Sequence, residues 1–364
     1  TRMLLNAVPR LDQPDRGDRP AIGPSQPLDV DPILEVRDMS IRFPIKVKGG
    51  FFGTTRMLRA VDGVSFDLRP GETLGVVGES GCGKSTLARG VLNLIPPTAG
   101  TVAWLGRDIT GLEKAQMRGI RKELQIVFQD PLASLDPRMT IGASIAEPLQ
   151  VHAPSLSRKE REAKVREMLE RVGLDPNMIN RYPHEMSGGQ NQRVGIARAM
   201  IMEPKLVICD EAVSALDVSV QAQVVDLLIE LQKSMDLTMI FISHDLSVVR
   251  EVSHRIMVLY LGRVVEFADR DAIYDDARHP YTKALIAAVP KPDPRTERER
   301  HAVRLDGDLP SPLDTRAALR FLKTKMVDDP QAEQYRPEMI EVSPAHFVAE
   351  HDPDETSAGL YARE

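Results

Sequence analysis

The sequence is poor in cysteine and aromatic residues, and it has neither long apolar runs nor basic blocks. Of its 364 residues, 2 are cysteine and 4% are aromatic. Two cysteines cannot build a disulfide framework, so we expect a reducing compartment. No apolar run is long enough to cross a bilayer, and any membrane role is therefore expected to come through a partner. The net charge of −6, without a lysine- or arginine-rich block, argues against nucleic acid as the main partner.

What the sequence does contain, at residues 78–86, is GESGCGKST, which fits the phosphate-binding loop pattern G-x-x-x-x-G-K-[ST]. The apolar run 72–77 predicts a buried strand before the loop, and the spacing over 87–94 predicts a helix after it. Glycine lets backbone N–H groups surround a phosphate at the positive end of that helix. The predicted nucleotide-binding residues are Gly78, Glu79, Ser80, Gly81, Cys82, Gly83, Lys84, Ser85 and Thr86. A glycine-rich turn that matches by chance is the alternative.

Within this loop two side chains have specific predicted roles. We expect Lys84 to reach the β- and γ-phosphates of a nucleotide and Ser85 to place its hydroxyl on Mg²⁺. Cys82 has two interpretations. It makes nucleotide binding sensitive to thiol reagents, or it is a tolerated small side chain, and the second interpretation is favoured.

Two carboxylates follow a second apolar run, at residues 206–209. In a parallel sheet this run would deliver Asp210 and Glu211 to the carboxyl edge, where ligands bind. We expect Asp210 to hold Mg²⁺ through water and Glu211 to act as the general base that polarises the attacking water. An ordinary acidic helix start is the alternative, and the phosphate loop nearby favours the catalytic interpretation.

Residues 186–190, MSGGQ, precede a helix predicted over 192–202 and resemble the LSGGQ signature of ATP-binding cassette proteins, with Met186 in place of leucine. A serine and two glycine amides at a helix start form a second anion site. The resemblance implies that this site faces the γ-phosphate bound by an opposite cassette, so that ATP lies between two cassettes. The residues concerned are Ser187, Gly188, Gly189 and Gln190.

Four further positions match marks of the same family, in the same order along the chain: Phe43, Gln129, Asp217 and His244. The resemblance implies that Gln129 contacts Mg²⁺ and links to a helical insertion. Asp217 would lie across the interface between two cassettes, and His244 would reach the γ-phosphate. Phe43 would stack on adenine, although Phe51 and Phe52 are alternatives for that role.

We predict an α/β fold, a P-loop ATP-binding cassette with a mixed sheet core, an antiparallel β subdomain and an inserted α-helical subdomain. The antiparallel part is predicted from strands over 33–43 and 64–68, interrupted over 44–57. The helical insertion over 136–202 contains helices predicted at 139–149 and 157–172, the second with a Ser157–Glu160 capping box. Strands at 206–209 and 239–242 alternate with helices at 218–233 and 246–252, before a hairpin over 255–267.

The predicted domains are a cassette over 33–270 and a small, loosely packed C-terminal extension over 271–350. Residues 13–32 read as a flexible linker, and 351–364 as a disordered tail. Residues 1–12 resemble residues 282–293, with six of twelve positions identical. We therefore expect 1–12 to be the tail of a preceding cassette, as in the second half of a tandem protein, with chance resemblance as the alternative.

Further stretches resemble the oligopeptide/dipeptide importer ATPases. They are GESG at 78–81, YPHE at 182–185, VSALDVS at 213–219, HPYT at 279–282, DLPS at 308–311 and PAHFVA at 344–349. Fused double-cassette members exist in that family, and the chain is similar to the second cassette of such a protein. Many members carry cysteines able to hold an iron–sulfur cluster between the last two stretches. None follows Cys209 here, so we predict no iron–sulfur cluster.

The resemblance implies an ATPase subunit that uses ATP and Mg²⁺ to power a membrane importer of short peptides, with glutathione and nickel chelates as alternative solutes. The implied partners are a second cassette, two transmembrane permease subunits and an extracytoplasmic solute-binding protein, with no nucleic acid. The implied location is peripheral, on the cytoplasmic face of the bacterial inner membrane. A soluble cassette acting on ribosomes or DNA is the competing function, whereas the signature argues against a P-loop kinase.

Overall fold

The computed structural model describes residues 29–47, 54–289, 311, 313–314, 319–322 and 335–352. The expected tandem tail at 1–12 lies outside the described residues, as do Phe51, Phe52 and most of the linker at 13–32 and of the tail at 351–364. The predictions made for these segments therefore stay predictions.

The described residues form the following strands and helices. The strands are β1 (Leu34–Val47), β2 (Thr54–Leu68), β3 (Thr73–Val77), β4 (Ala99–Trp104), β5 (Arg107–Asp108), β6 (Leu124–Val127), β7 (Leu206–Asp210), β8 (Thr238–Ile242), β9 (Arg255–Tyr260), β10 (Arg263–Asp269), β11 (Met339–Ser343) and β12 (His346–Ala349). The helices are α1 (Lys84–Val91), α2 (Lys114–Arg121), α3 (Pro131–Ser134), α4 (Ile141–His152), α5 (Arg158–Arg171), α6 (Gly188–Met200), α7 (Val218–Ser234), α8 (Leu246–Val252), α9 (Arg270–Asp275) and α10 (Pro280–Ala288).

The antiparallel sheet has the strand order β2-β1-β4-β5. The predicted interruption over 44–57 is wrong over 44–47 and 54–57, because β1 runs through Pro44, which pairs with Met57 of β2. Residues 48–53 lie outside the described residues. Pro44 is tolerated in β1 for a physical reason. Strand β4 pairs with β1 only as far as Ser40, so beyond that point β1 bonds to β2 alone and a missing N–H breaks no second ladder.

The larger sheet has the order β11-β12-β10-β9-β3-β8-β7-β6. Its centre is parallel: β3 pairs with β8 and β9, and β7 pairs with β6 and β8. Strands β3, β7 and β8 are buried along their whole length, which explains their continuous apolar runs. Because these strands are parallel, their carboxyl ends lie at one edge of the sheet, and the residues that follow them are brought together.

The segment between β6 and β7 is helical and contains α3 to α6. The predicted capping box of α5 is present: Ser157 Oγ accepts the Glu160 N–H at 3.3 Å, and the Glu160 carboxylate accepts the Ser157 N–H at 2.7 Å. Helix α6 begins at Gly188 rather than at the predicted residue 192, because Ser187 caps it and Gln190 closes the same box. Among the described residues, no helix combines the length and apolar character needed to span a membrane.

The C-terminal extension is more closely joined to the cassette than the sequence predicted. Strand β12 pairs antiparallel with β10, so the extension continues the larger sheet. Phe321, Val348 and Ala349 are buried and extend the core rather than lying loosely on it. The proline- and charge-rich composition over 291–364 suggested weak packing, but a few apolar residues suffice to anchor the described part.

Candidate nucleotide-binding site

The phosphate loop connects β3 to α1 and is shaped by close backbone approaches. Gly78 has φ of 149° and Gly83 has φ of 108°, both in the region that favours glycine. A Cβ at Gly78 would lie 2.2 Å from the Leu259 carbonyl oxygen, and one at Gly83 would lie 2.1 Å from that of Ala60. Strands β9 and β2 therefore press against this loop, and both positions require glycine.

Lys84 is buried inside the loop, with its ammonium group enclosed by backbone. The Nζ atom donates to the carbonyl oxygens of Gly78 at 2.7 Å and Glu79 at 3.0 Å. It also lies 3.7 Å from Glu211 Oε1 at the end of β7. Its side chain is 4% exposed, so these contacts replace hydration of the charge.

Ser85 and Asp210 bring two oxygen groups together from neighbouring elements. Ser85, in the first turn of α1, donates its hydroxyl to Asp210 Oδ1 at 2.8 Å. Burial raises the pKa of the Asp210 carboxyl, and the nearby Glu211 charge acts in the same direction, whereas the Ser85 hydrogen bond opposes the shift. A hydroxyl beside a carboxylate is an oxygen pair of the kind that hard divalent cations prefer.

Glu211 is the point at which the predicted catalytic side chains converge. Its φ of 50° is unusual for a residue other than glycine and turns the chain directly after β7. Gln129 Nε2 donates to Glu211 Oε2 at 2.9 Å, and His244 Nδ1 lies 3.7 Å from the same oxygen. The structure thus brings Gln129, Glu211 and His244 together beside Lys84, although they follow three different strands.

A cavity of about 310 Å³ lies beside these groups. The residues that line it are Phe43, Leu58, Arg59, Ala60, Ser80, Gly81, Cys82, Gly83, Lys84, Ser85, Thr86, Gln129, Glu211, Leu261 and Gly262. Phe43 is therefore part of the lining, and its stacking on adenine stays a prediction. The lining also includes 58–60, within β2, and 261–262, in the turn between β9 and β10. Neither stretch carries a motif, so the sequence did not predict them.

The signature residues and Asp217 do not line this cavity but share another surface. Ser187 and Gln190 bond to each other's backbone at the start of α6, and a Cβ at Gly189 would lie 2.3 Å from Val220 Cγ1 of α7. Asp217 caps α7 by accepting the Val220 N–H at 3.1 Å, and hydrogen bonds from Ser219 and Val220 lower its pKa. Ser187, Gly188 and Asp217 are exposed, so this surface is open to a partner.

Comparison with known proteins identifies the family. A family profile described as ABC transporter matches residues 61–214, and one described as oligopeptide/dipeptide transporter, C-terminal region, matches residues 265–321. The chain is 53% identical to the oligopeptide transport ATP-binding protein OppF of Salmonella typhimurium over 318 residues, or 87% of this chain and 95% of that protein. The chain belongs to the ABC transporter family. It is an ATP-binding cassette ATPase, as the motifs predicted.

Two further comparisons concern this ABC ATPase. It is 47% identical to the glutathione import ATP-binding protein GsiA of Pectobacterium atrosepticum over 89% of this chain and 49% of that protein. Among solved structures, the dimeric post-hydrolysis ATP-binding cassette MJ0796 bound to ADP and Pi matches with a TM-score of 0.58 at 27% identity. The match covers 65% of this chain and 98% of that one. The predicted α/β cassette fold is confirmed.

The two cysteines of this ABC ATPase are buried, and their thiols are not activated as nucleophiles. Burial raises the pKa of the Cys82 thiol, against a smaller opposing effect of the Lys84 charge, and raises that of Cys209 to about 12. A thiol is nucleophilic mainly as the thiolate, so neither side chain is activated. The geometry therefore favours the interpretation of Cys82 as a tolerated small side chain.

Proposed function

We propose that this ABC ATPase hydrolyses ATP to power a membrane importer of short peptides. The observation that carries the hydrolytic part is the convergence of Gln129, His244 and Lys84 on Glu211 beside the phosphate loop. The proposal that the solute is a short peptide is supported by the match of residues 265–321 to the oligopeptide/dipeptide C-terminal region and by the similarity to OppF. Glutathione is the alternative solute, supported by the similarity to GsiA.

In the proposed mechanism Lys84 binds the β- and γ-phosphates, and Glu211 is the general base. Its carboxylate accepts a proton from the attacking water, while Gln129 and His244 orient that water and the γ-phosphate. The hydrogen bond from Gln129 already fixes one carboxylate oxygen of Glu211. Transition-state charge develops on the phosphate oxygens, where the loop amides and Lys84 stabilise it.

The residues present fit a magnesium site next to the phosphates. Ser85 Oγ and the Asp210 carboxylate are adjacent oxygen donors, and Gln129 offers an amide oxygen. In this proposal Ser85 and Gln129 would hold Mg²⁺ directly, and Asp210 would hold it through water. The cation would supply positive charge that offsets the negative charge of the phosphates.

The surface that contains Ser187, Gly188, Gly189, Gln190 and Asp217 is proposed to complete the site of a second cassette. This surface lies outside the cavity that contains Lys84, so one chain presents two halves of a site at different places. An opposed pair of cassettes would bring each half against the other, with α6 directing its amides at the γ-phosphate. Closure on ATP and reopening after hydrolysis would then drive two permease subunits at the cytoplasmic face of the membrane.

The decisive experiment is a tagged purification of the full-length native protein from membranes in mild detergent, with identification of the chains that copurify. We expect a second cassette and two multi-span permease subunits, and an untagged strain provides the control. Recovery with ribosomes or DNA instead would overturn the transport function and leave the ATP site intact. The solute-binding protein encoded with those permeases would then be tested for binding of short peptides, glutathione and nickel chelates.

A further inference from the structure

Tyr281 has no role in the hydrolytic mechanism, yet it contacts the phosphate loop directly. It lies in the first turn of α10, within the His-Pro-Tyr-Thr stretch at 279–282, and is fully buried. Its hydroxyl oxygen accepts a hydrogen bond from the backbone N–H of Glu79 at 3.1 Å. The two residues are 202 positions apart in the chain.

The peptide group between Gly78 and Glu79 is held on both sides. Its N–H donates to Tyr281, and its carbonyl, that of Gly78, accepts the Lys84 ammonium at 2.7 Å. Gly78 has no side chain to limit rotation of this peptide, and its φ of 149° is open to glycine alone among common residues. The hydrogen bond from the Glu79 N–H to Tyr281 therefore fixes the plane of this peptide group, and the Gly78 carbonyl in the same plane positions Lys84.

Tyr281 is itself held rigidly by its surroundings in the fold. Its ring centroid lies 4.7 Å from that of Tyr260 and 6.3 Å from that of Phe321, and its backbone N–H donates to His279 Nδ1 at 3.2 Å. Burial raises the pKa of the Tyr281 hydroxyl, which consequently stays neutral. A neutral, ordered hydroxyl is suited to fix a backbone amide without adding charge beside bound phosphate.

A buried carboxylate ties this arrangement to the end of the extension. Glu266 of β10 is fully buried and accepts the backbone N–H groups of Arg278 at 2.7 Å and His279 at 3.1 Å. The same carboxylate lies 2.8 Å from His346 Nε2 of β12. A continuous set of hydrogen bonds thus runs from β12 through Glu266 and the start of α10 to Tyr281 and the phosphate loop.

We propose that Tyr281 is a positioning residue for Lys84, and that its hydroxyl holds the Gly78–Glu79 peptide in the orientation that binds nucleotide phosphates. This inference rests on the ATP site proposed above. It makes the C-terminal extension a structural part of the nucleotide site rather than a separate appendage. Nucleotide affinity then depends on how the extension is packed.

The test removes one oxygen atom from the full chain, in Tyr281→Phe, and measures the dissociation constant for ATP by calorimetry. We expect ATP binding to weaken by about fivefold, the effect of one net hydrogen bond. Hydrogen exchange of the phosphate-loop peptide should also become faster, because the Glu79 amide loses its partner. The matched control is Tyr335→Phe, which removes a hydroxyl that bonds to Glu350 within the extension. Tyr335 packs against Leu319 and Leu322 and is not among the residues that line the nucleotide cavity.

Comparison of the two variants distinguishes an effect on the position of Lys84 from a general loss of stability. Both variants are expected to lower the melting temperature, since each loses a hydroxyl bond, but only Tyr281→Phe should change ATP affinity. An ATP dissociation constant within twofold of the parent for Tyr281→Phe, or equal weakening in both variants, would overturn the inference. Failure of the parent chain itself to bind ATP would instead refute the proposed ATP site.

Discussion

Replacing Glu211 by glutamine separates ATP binding from ATP hydrolysis. The substitution preserves shape and keeps an oxygen able to accept from Gln129, but it cannot take a proton from water. We therefore expect hydrolysis to fall by about 10²–10⁴-fold, the usual contribution of a general base. This corresponds to about 3–5 kcal/mol in the activation free energy.

The effect of Glu211→Gln on ATP affinity has the opposite sign. Lys84 Nζ lies 3.7 Å from Glu211 Oε1, with the two side chains 4% and 14% exposed. A charge pair at this separation interacts by about 4 kcal/mol at an effective dielectric constant of 20, before solvation is counted. Glutamine releases Lys84 from this pair and removes a negative charge near the γ-phosphate. ATP should therefore bind at least as tightly as to the parent chain.

The assay measures phosphate release over time and ATP affinity by calorimetry for the parent, Glu211→Gln and the control Glu170→Gln. Glu170 is an exposed residue of α5, and the control should match the parent in both measurements. Gel filtration with ATP should show Glu211→Gln as a persistent dimer, because the bound nucleotide is not consumed. Hydrolysis at the parent rate would refute the assignment of Glu211 as base. Loss of ATP binding would refute the electrostatic reasoning.

Four other substitutions have defined outcomes. Lys84→Ala should weaken nucleotide binding itself. ATP at a hundred times the parent's dissociation constant should stabilise the parent against thermal unfolding by about 2.7 kcal/mol, and the variant should lose this stabilisation. Gly83→Ala should abolish ATP binding, because its Cβ would lie 2.1 Å from the Ala60 carbonyl oxygen at a φ of 108°. Gly119→Ala, with no atom within 4 Å of its Cβ, should instead gain about 0.5–1 kcal/mol in urea unfolding. His279 is neutral when folded, because burial lowers its pKa well below the ordinary value and the charges of His351 and Lys283 add to the effect. The unfolded chain takes up a proton below pH of about 6.5, so stability should fall on acidification by up to about 1.4 kcal/mol per pH unit for this group. His279→Asn, which keeps a helix-capping side chain, should make that decline shallower from pH 7.5 to 5; an unchanged slope would contradict the assignment.

The phosphate loop and the acidic end of β7 could be predicted because their signals are local. Residues 78–86 carry their own pattern, and each flanking segment has the hydrophobic spacing of its element. The meeting of Ser85, Asp210 and Glu211 follows from one general rule, since the carboxyl ends of parallel strands share an edge. The separation of Ser187 from the cavity also agrees with a site shared between two cassettes.

The predicted element boundaries were wrong where hydrogen bonding in the folded chain overrides the local preference of the sequence. Pro44 reads as a strand breaker, but an edge position without a second partner strand accepts it. Helix α6 begins earlier than its apolar pattern, because Ser187 and Gln190 supply the capping bonds that fix its first turn. In both cases the deciding feature is whether and where a backbone N–H group needs a hydrogen-bond partner, which hydrophobic spacing does not report.

The contact between Tyr281 and Glu79 shows why the extension could not be assigned a role from its sequence. A hydroxyl that accepts a backbone N–H places no demand on the side chain of the donor, so Glu79 carries no trace of its partner. Residues 78–86 and 279–282 each stand out in the sequence, but nothing in either stretch shows that the two are in contact. In a long-range contact of this kind the donor is a backbone N–H group, which every residue except proline carries, so the type of the donor residue does not reveal the contact. For this ABC ATPase, the sequence of the phosphate loop is enough to identify the loop. Holding the Gly78 carbonyl toward Lys84 also requires Tyr281, from a distant part of the chain.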